Sequence, residues 1–191
     1  MSYTDVKYKF KKIGKNVQLG KNIYFRYPEK IEIGDNVIID DFSYFSTSLV
    51  IEDYVHISPF CSVIGGIKSK LVMREFSGLS AGCRIICGSD DYSGIGLTNP
   101  TVTKKYRIKS KSTTIEIGRH GVLGTNCVVH PGVKIGEGAA AGSMSLITKD
   151  VDPWWIYIGI PAKKLKKKRN GKNRGIRKTI EDGCYIIASN C

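Results

Sequence analysis

The sequence predicts an all-β solenoid, a parallel β-helix of six-residue units, and two observations carry that prediction. Aliphatic residues recur at Ile117, Leu123, Val129, Ile135, Ala141 and Ile147, six apart without a slip. Four residues after each stands a small or slim side chain, at Gly121, Cys127, Val133, Ala139, Ser145 and Val151. A helix would rotate a six-residue repeat off any single face, and simple strand alternation has period two. Short extended segments joined by tight turns satisfy both rows. The aliphatic residue fills a narrow core and the slim one fits near a corner.

The same register is legible from the start of the chain. It runs through Ile13 and Leu19, resumes at Ile33, Ile39, Phe45, Ile51, Ile57 and Val63, and again at Met73, Leu79 and Ile85. Gly118, Gly124, Gly136 and Gly142, each just after an aliphatic residue, suit turns. Cys61, Cys83 and Cys127 all fall on the slim inward position, four after Ile57, Leu79 and Leu123. They are expected to be packed thiols, since a free cysteine behaves as a small buried hydrophobe. The register does not place Cys87, Cys184 or Cys191.

Residues 88–114, opening with GSDDYSGIGLTNPTV, carry no six-residue register, while both flanks keep it. A break of this length in a compact repeat protein marks a functional loop or an insertion. At 191 residues the chain makes one domain with a real core. We expect residues 1–162 to form the β-helix, with the loop 88–114 thrown out of it, and residues 163–191 to form a basic C-terminal helix and tail.

The net charge of +13 invites a nucleic-acid reading until it is located. KKLKKKRNGKNRGIRK, residues 163–178, holds ten of the thirty Lys and Arg and no acid. The charge therefore belongs to a tail, not to a groove-shaped face. The tail lacks interleaved aromatics, so nucleic-acid binding is not expected and stands as the non-enzyme alternative. No apolar run is long enough to span a bilayer, and MSYTDVKYKFKK lacks the apolar segment of a secretory signal, so a cytoplasmic protein is expected. His56, His120 and His130 show no familiar metal-ligand spacing, and no metal is expected.

With this repeat and the ending ITKDVDPWWIYIGIPAKKL, the chain resembles the hexapeptide-repeat acyltransferases over residues 13 to about 168. The resemblance implies a left-handed β-helix and a homotrimer with active sites at subunit interfaces. GSDDYSGIGLTNPTV followed by a Tyr-Arg stretch is most similar to sugar acetyltransferases, including those acting on nucleotide-linked amino sugars of surface polysaccharide pathways. Acetyl-coenzyme A is then the implied acyl donor, and a sugar or nucleotide-sugar the acceptor. Transfer to a sugar hydroxyl, or an antibiotic or serine acetyltransferase, are the alternatives.

Acyl transfer from a thioester needs an acceptor, a group to take its proton, and donors for the oxyanion. Many relatives place a histidine on the loop; this chain offers Asp90 and Asp91 instead. A carboxylate is a weak base toward a hydroxyl but suffices for an amine that titrates near neutrality, or orients its ammonium. The missing histidine favours an amino-sugar acceptor. Asp also caps turns beside Gly and Ser, which is the structural alternative. His130, outward because it follows Val129, competes for the role of base, ahead of His120 at a turn and His56.

On the donor side, IGEGAAAGSMSLITKD lowers side-chain bulk over successive turns, which lets a long thin ligand lie against the backbone. By resemblance, Thr125, Ser143, Thr148 and Lys149 fall on positions that contact coenzyme A. Lys163 and Lys166 match basic residues near its phosphates.

Overall fold

The structure is a computed structural model describing residues 8–99, 101–106 and 111–168. It is a left-handed parallel β-helix of about seven turns whose three faces are built from stacked short strands. The first face stacks Lys12–Ile13, Ile31–Ile33, residues 49–51 and 70–73, Thr114–Ile117 and Lys134–Ile135. The second stacks Gln18–Leu19, Ile38–Ile39, His56–Ile57, Gly78–Leu79, Val122–Leu123, Ala140–Ala141 and Trp155–Ile158. The third stacks Tyr24–Phe25, residues 44–46 and 62–64, Arg84–Ile86, Val128–Val129 and Leu146–Ile147.

Stacking register shows where the chain keeps its period and where it departs. Partners one coil apart differ by 18 residues at Ile39↔Ile57 and Leu123↔Ala141, which is three units of six. They differ by 20 at Leu19↔Ile39, 22 at Ile57↔Leu79 and 44 at Leu79↔Leu123. All the surplus residues leave at one place, the edge where the third face turns into the first. They form a 3-10 turn at Pro28–Lys30, a short detour at residues 64–70, and the long loop after Cys87. The loop closes one residue sooner than expected, because Thr114 already pairs with Lys70.

Every residue of the six-residue row from Leu19 to Ile147 is buried, and so is each slim partner from Gly121 to Val151. Ile13, in the first coil, is exposed. Tyr8 and Phe10 close that end, edge-on against Phe25 at 5.2 and 5.1 Å. Phe25 continues the row from Leu19, an aromatic in an aliphatic series. The first face adds a second inward residue per coil, at Ile31, Leu49, Leu71 and Ile115. Tight corners need left-handed backbone, and Asn16, Asn36, Tyr54, Phe76, His120 and Trp154 supply it along one edge. Because the coils repeat, these side chains stack: Tyr54 on Phe76 at 4.8 Å and Phe76 on His120 at 5.1 Å.

The expected basic helix at the C-terminal end is instead a strand, Lys163–Lys167, antiparallel to Trp155–Ile158. The reason is the open edge of the last coil, whose N–H and C=O groups the returning strand satisfies. A lysine-rich outer strand also discourages further pairing. The rest of the expected tail, residues 169–191, lies outside the described residues.

Cys61, Cys83 and Cys127 are buried one above another at a single corner, and Cys87 is buried at the root of the loop. Contact with the Cys127 and Cys61 thiols holds the Cys83 thiol protonated, and burial pushes Cys87 up to about 12. With Cys184 and Cys191 changed to serine, the native protein should release no thionitrobenzoate from Ellman's reagent, while the denatured protein titrates as four thiols. Reaction of any coil thiol at the native state's rate of mixing would contradict the packing.

Candidate active site

The loop that interrupts the repeat is rooted firmly. Gly88–Ser89 pairs antiparallel with Lys111–Ser112, and Thr113 donates from both its amide and its hydroxyl to the Cys87 carbonyl, at 2.8 and 2.7 Å. Asp90 and Asp91 follow directly on this stem, both half-buried. The structure separates the two acids. Asp91 Oδ1 accepts from the Ser93 amide at 2.8 Å, a turn closed by the side chain two residues back. Donation from the Ser93 amide and hydroxyl holds the Asp91 carboxyl below the usual range, which makes it a weaker base. The Ser89 hydroxyl donates to the Asp90 backbone carbonyl, leaving the Asp90 carboxylate out of that turn.

His130 stands on the same edge one coil further on, exposed, with its amide bonded to the Ile147 carbonyl at 2.9 Å. Thr148 and Lys149 lie above it, also exposed. The edge between third and first faces thus carries His130 and then Thr148 and Lys149 in successive coils, and Asp90 stands on the loop that leaves the same edge one coil below His130. His120 lies elsewhere, stacked on Phe76 at a corner, and His56 is paired through Nε2 with Asp40 Oδ2 at 2.8 Å on the second face.

The remaining expected coenzyme contacts lie along the opposite edge of the third face. Thr125 and Ser143 occupy the same corner in successive coils, with the Met144 amide bonded to the Thr125 carbonyl at 2.8 Å. Lys163 is registered with Ile158, whose side chain lies over Gly142 at that corner. Lys166 pairs with Ile156, further along the second face. One chain therefore brings together Thr125, Ser143 and Lys163 on one edge, and Asp90, His130, Thr148 and Lys149 on the other. It does not join the two groups.

Ser80 stands at the foot of the Thr125 edge, below Gly124 and Gly142, with its amide bonded to the Leu123 carbonyl at 2.9 Å. Nothing in SAG distinguishes it from an ordinary turn serine, and it has no place in the sequence reading. The slimness of this edge serves stacking as well as any ligand: a β-carbon at Gly124 would lie 2.7 Å from the Ser143 amide nitrogen. A hollow on the first face is lined by Lys12, Glu32, Glu52, Asp53 and Glu75, and three of these acids are already paired, Glu32 with Lys11, Glu52 with Arg74 and Glu75 with Arg119. Among the described residues no group of three or more His, Cys, Asp or Glu is arranged to hold a metal ion, and no helix is long and apolar enough to cross a membrane.

This coil, with a rooted acidic loop and slim, hydroxyl-bearing edges, is the architecture of a hexapeptide-repeat acyltransferase, and the chain belongs to that family. It is 35% identical over 162 residues, 83% of each chain, to the dTDP-4-amino-4,6-dideoxy-D-glucose acyltransferase of Escherichia coli. It superposes with a TM-score of 0.84 and 31% identity, over 91% of each chain, on AntD, an N-acyltransferase from Bacillus cereus. That AntD structure, a variant with a serine replaced by cysteine, holds dTDP-4-amino-4,6-dideoxyglucose and coenzyme A. A maltose O-acetyltransferase from Clostridium difficile 630 shares the fold at 20% identity, with a TM-score of 0.56 over 84% of this chain and 71% of that one. No family model matches the chain. The protein is an acyltransferase.

Proposed function

We propose that the protein transfers an acyl group, acetyl in the simplest case, from coenzyme A to the amino group of a nucleotide-linked amino sugar in surface polysaccharide biosynthesis. The observation that carries this reading is the acid on a rooted loop where, as the resemblance implies, many relatives place a histidine. It is supported by similarity along most of the chain to enzymes named for a dTDP-linked amino sugar.

Asp90 is the group that receives or orients the acceptor's proton. The amine attacks the thioester carbonyl, the tetrahedral intermediate collapses, the thiolate leaves, and the proton from nitrogen ends on sulfur. AntD structures with coenzyme A bound exist for variants at a serine and at an aspartate ten positions later. Ser80 and Asp90 stand ten apart in this chain, as do Ser43 and Asp53, but Ser43 is only 2% exposed. We assign Ser80 to the donor edge beside the thioester, Thr125 and Ser143 to the pantetheine arm, and Lys149, Lys163 and Lys166 to its phosphates, with Thr148 beside Lys149. Asp91 is the turn cap of the same loop, and His130 the second candidate base.

Because Ser80 and Asp90 lie on opposite edges of one face, a complete site needs a second copy, and we infer a homotrimer. Ile38 and Val122, 37% and 40% exposed on the second face, are apolar surface available to such an assembly. Residues 1–162 are the working unit, and 163–191 an appended basic segment whose first residues close the last coil. Buried reduced thiols and a thioester donor both fit the cytoplasm.

The test is coenzyme A release from acetyl-coenzyme A across nucleotide-linked amino sugars, nucleotide-linked neutral sugars, free sugars and chloramphenicol. We expect release with the first group only. Release confined to free sugars or to the antibiotic would overturn the reading, and light scattering at 21.1 kDa, the mass of one chain, would overturn the trimer.

A further inference from the structure

The short detour at residues 64–70 sits one coil beneath the root of the long loop and on the same edge. Its place is not accidental to the packing. A β-carbon at Gly88 would lie 2.7 Å from the Gly65 carbonyl oxygen, 2.8 Å from Ser69 Oγ and 2.9 Å from the Lys111 carbonyl oxygen. A β-carbon at Gly65 would lie 2.7 Å from the Gly88 nitrogen. Two backbones touch here, and neither position has room for a side chain.

Three hydroxyls hold the contact from below, those of Ser69 and Thr47 buried and that of Ser48 partly exposed. Ser69, 1% exposed, donates to the Gly65 carbonyl at 2.8 Å, and the fully buried Thr47 donates to the Gly66 carbonyl at 3.2 Å. Ser48 donates to the Ile67 carbonyl at 3.2 Å. From above, Thr113 grips the Cys87 carbonyl with two donors, while the Cys87 amide bonds the Ile64 carbonyl at 2.7 Å. Buried hydroxyls are costly unless bonded, and a hydrocarbon would fill an ordinary coil at less cost.

We propose that the passage of Gly88 over Gly65, braced by Ser69, Thr47 and Thr113, sets the point and direction in which the loop leaves the solenoid and so positions Asp90 for the acceptor. These are positioning residues; none touches substrate. The inference rests on the reading of Asp90 given above. A β-carbon at Gly88 must lift the stem off the detour, and a displacement of an ångström at a reacting group is enough to cost up to ~10²-fold.

The experiment uses the full chain and compares Gly88→Ala, Thr113→Val and Thr113→Ser in steady-state kinetics with acetyl-coenzyme A and dTDP-4-amino-4,6-dideoxyglucose. Amide hydrogen exchange is followed over residues 86–89 and 111–113. We expect Gly88→Ala and Thr113→Val to lower kcat by roughly 10-fold or more, with the donor KM within about 3-fold. Thr113→Ser, which keeps the donor, should restore most of the rate. Protection should fall at the stem and persist in the coils. Unchanged kcat in Gly88→Ala would overturn the proposal, and so would loss of protection throughout the solenoid together with equal losses in kcat and donor affinity. If Asp90→Asn turns over normally while Gly88→Ala does not, the assignment of the acid fails and with it the claim that the root positions Asp90. If no acceptor is acylated, the function reading fails, and exchange decides alone: a stem unprotected in the unaltered protein sinks the proposal.

Discussion

Asp90→Asn lowers turnover on a nucleotide-linked amino sugar by roughly 10²-fold or more while leaving the donor KM unchanged, the scale expected for losing general base catalysis. The substitution keeps shape and hydrogen bonding and removes only the charge, so the loss is confined to the proton. The contrast with its neighbour gives the result its meaning. Asp91 is committed to the Ser93 amide at 2.8 Å, and an asparagine can close the same turn, so Asp91→Asn should retain most of the rate. Steady-state kinetics on the two variants and on His130→Ala decides the assignment. Near-normal turnover in both Asn variants with loss in His130→Ala would transfer the role to His130, the exposed histidine one coil further on.

Phe45→Ala should destabilise the protein by about 3–5 kcal/mol, the range for truncating a large buried aromatic. Phe45 has no exposed surface, and its ring stacks on Phe25 at 4.9 Å with planes 12° apart. In a solenoid only one side chain deep, neighbouring coils have no second layer from which to fill the gap. The cavity term therefore adds in full to the lost transfer energy. Reversible urea unfolding of the variant, read against the unaltered protein, measures it; a loss below about 1 kcal/mol would mean that the coil collapses around the site.

The core was legible because a six-residue row makes burial a matter of counting. Ile33, Ile57, Leu79 and Leu123 could be placed inward from the sequence, and the cysteines followed from their offset to that row. Phe25 is harder to read from the sequence, because the Pro28–Lys30 turn adds two residues directly after it and breaks the count before Ile33. The long loop announced itself as a loss of period. The detour at 64–70 did not, since four extra residues between Val63 and Met73 resemble a slip in register.

The site was less legible, for a geometrical reason. Thr125 and Thr148 read as one coenzyme set along the chain, but 125 follows the unit at Leu123 and 148 the unit at Ile147, so they face different edges. Ser80 carries no signal of its own; only the spacing to Asp90 and the column above it single it out. The spacing from Asp91 to Ser93 did contain the turn in which the Asp91 carboxylate accepts from the Ser93 amide. The C-terminal lysines read as a helix because the edge they satisfy, Trp155–Ile158, is a tertiary feature.

The most direct measurement compares kcat/KM for dTDP-4-amino-4,6-dideoxyglucose with that for the same nucleotide sugar bearing a hydroxyl in place of the amine, with acetyl-coenzyme A and the mass of the product recorded. An aspartate on the loop in place of histidine predicts a product heavier by one acetyl group from the amine alone, and hydroxyl transfer slower by about 10³-fold or more, as expected when a weak base must deprotonate an alcohol. Equal or faster acylation of the hydroxyl compound would contradict the account.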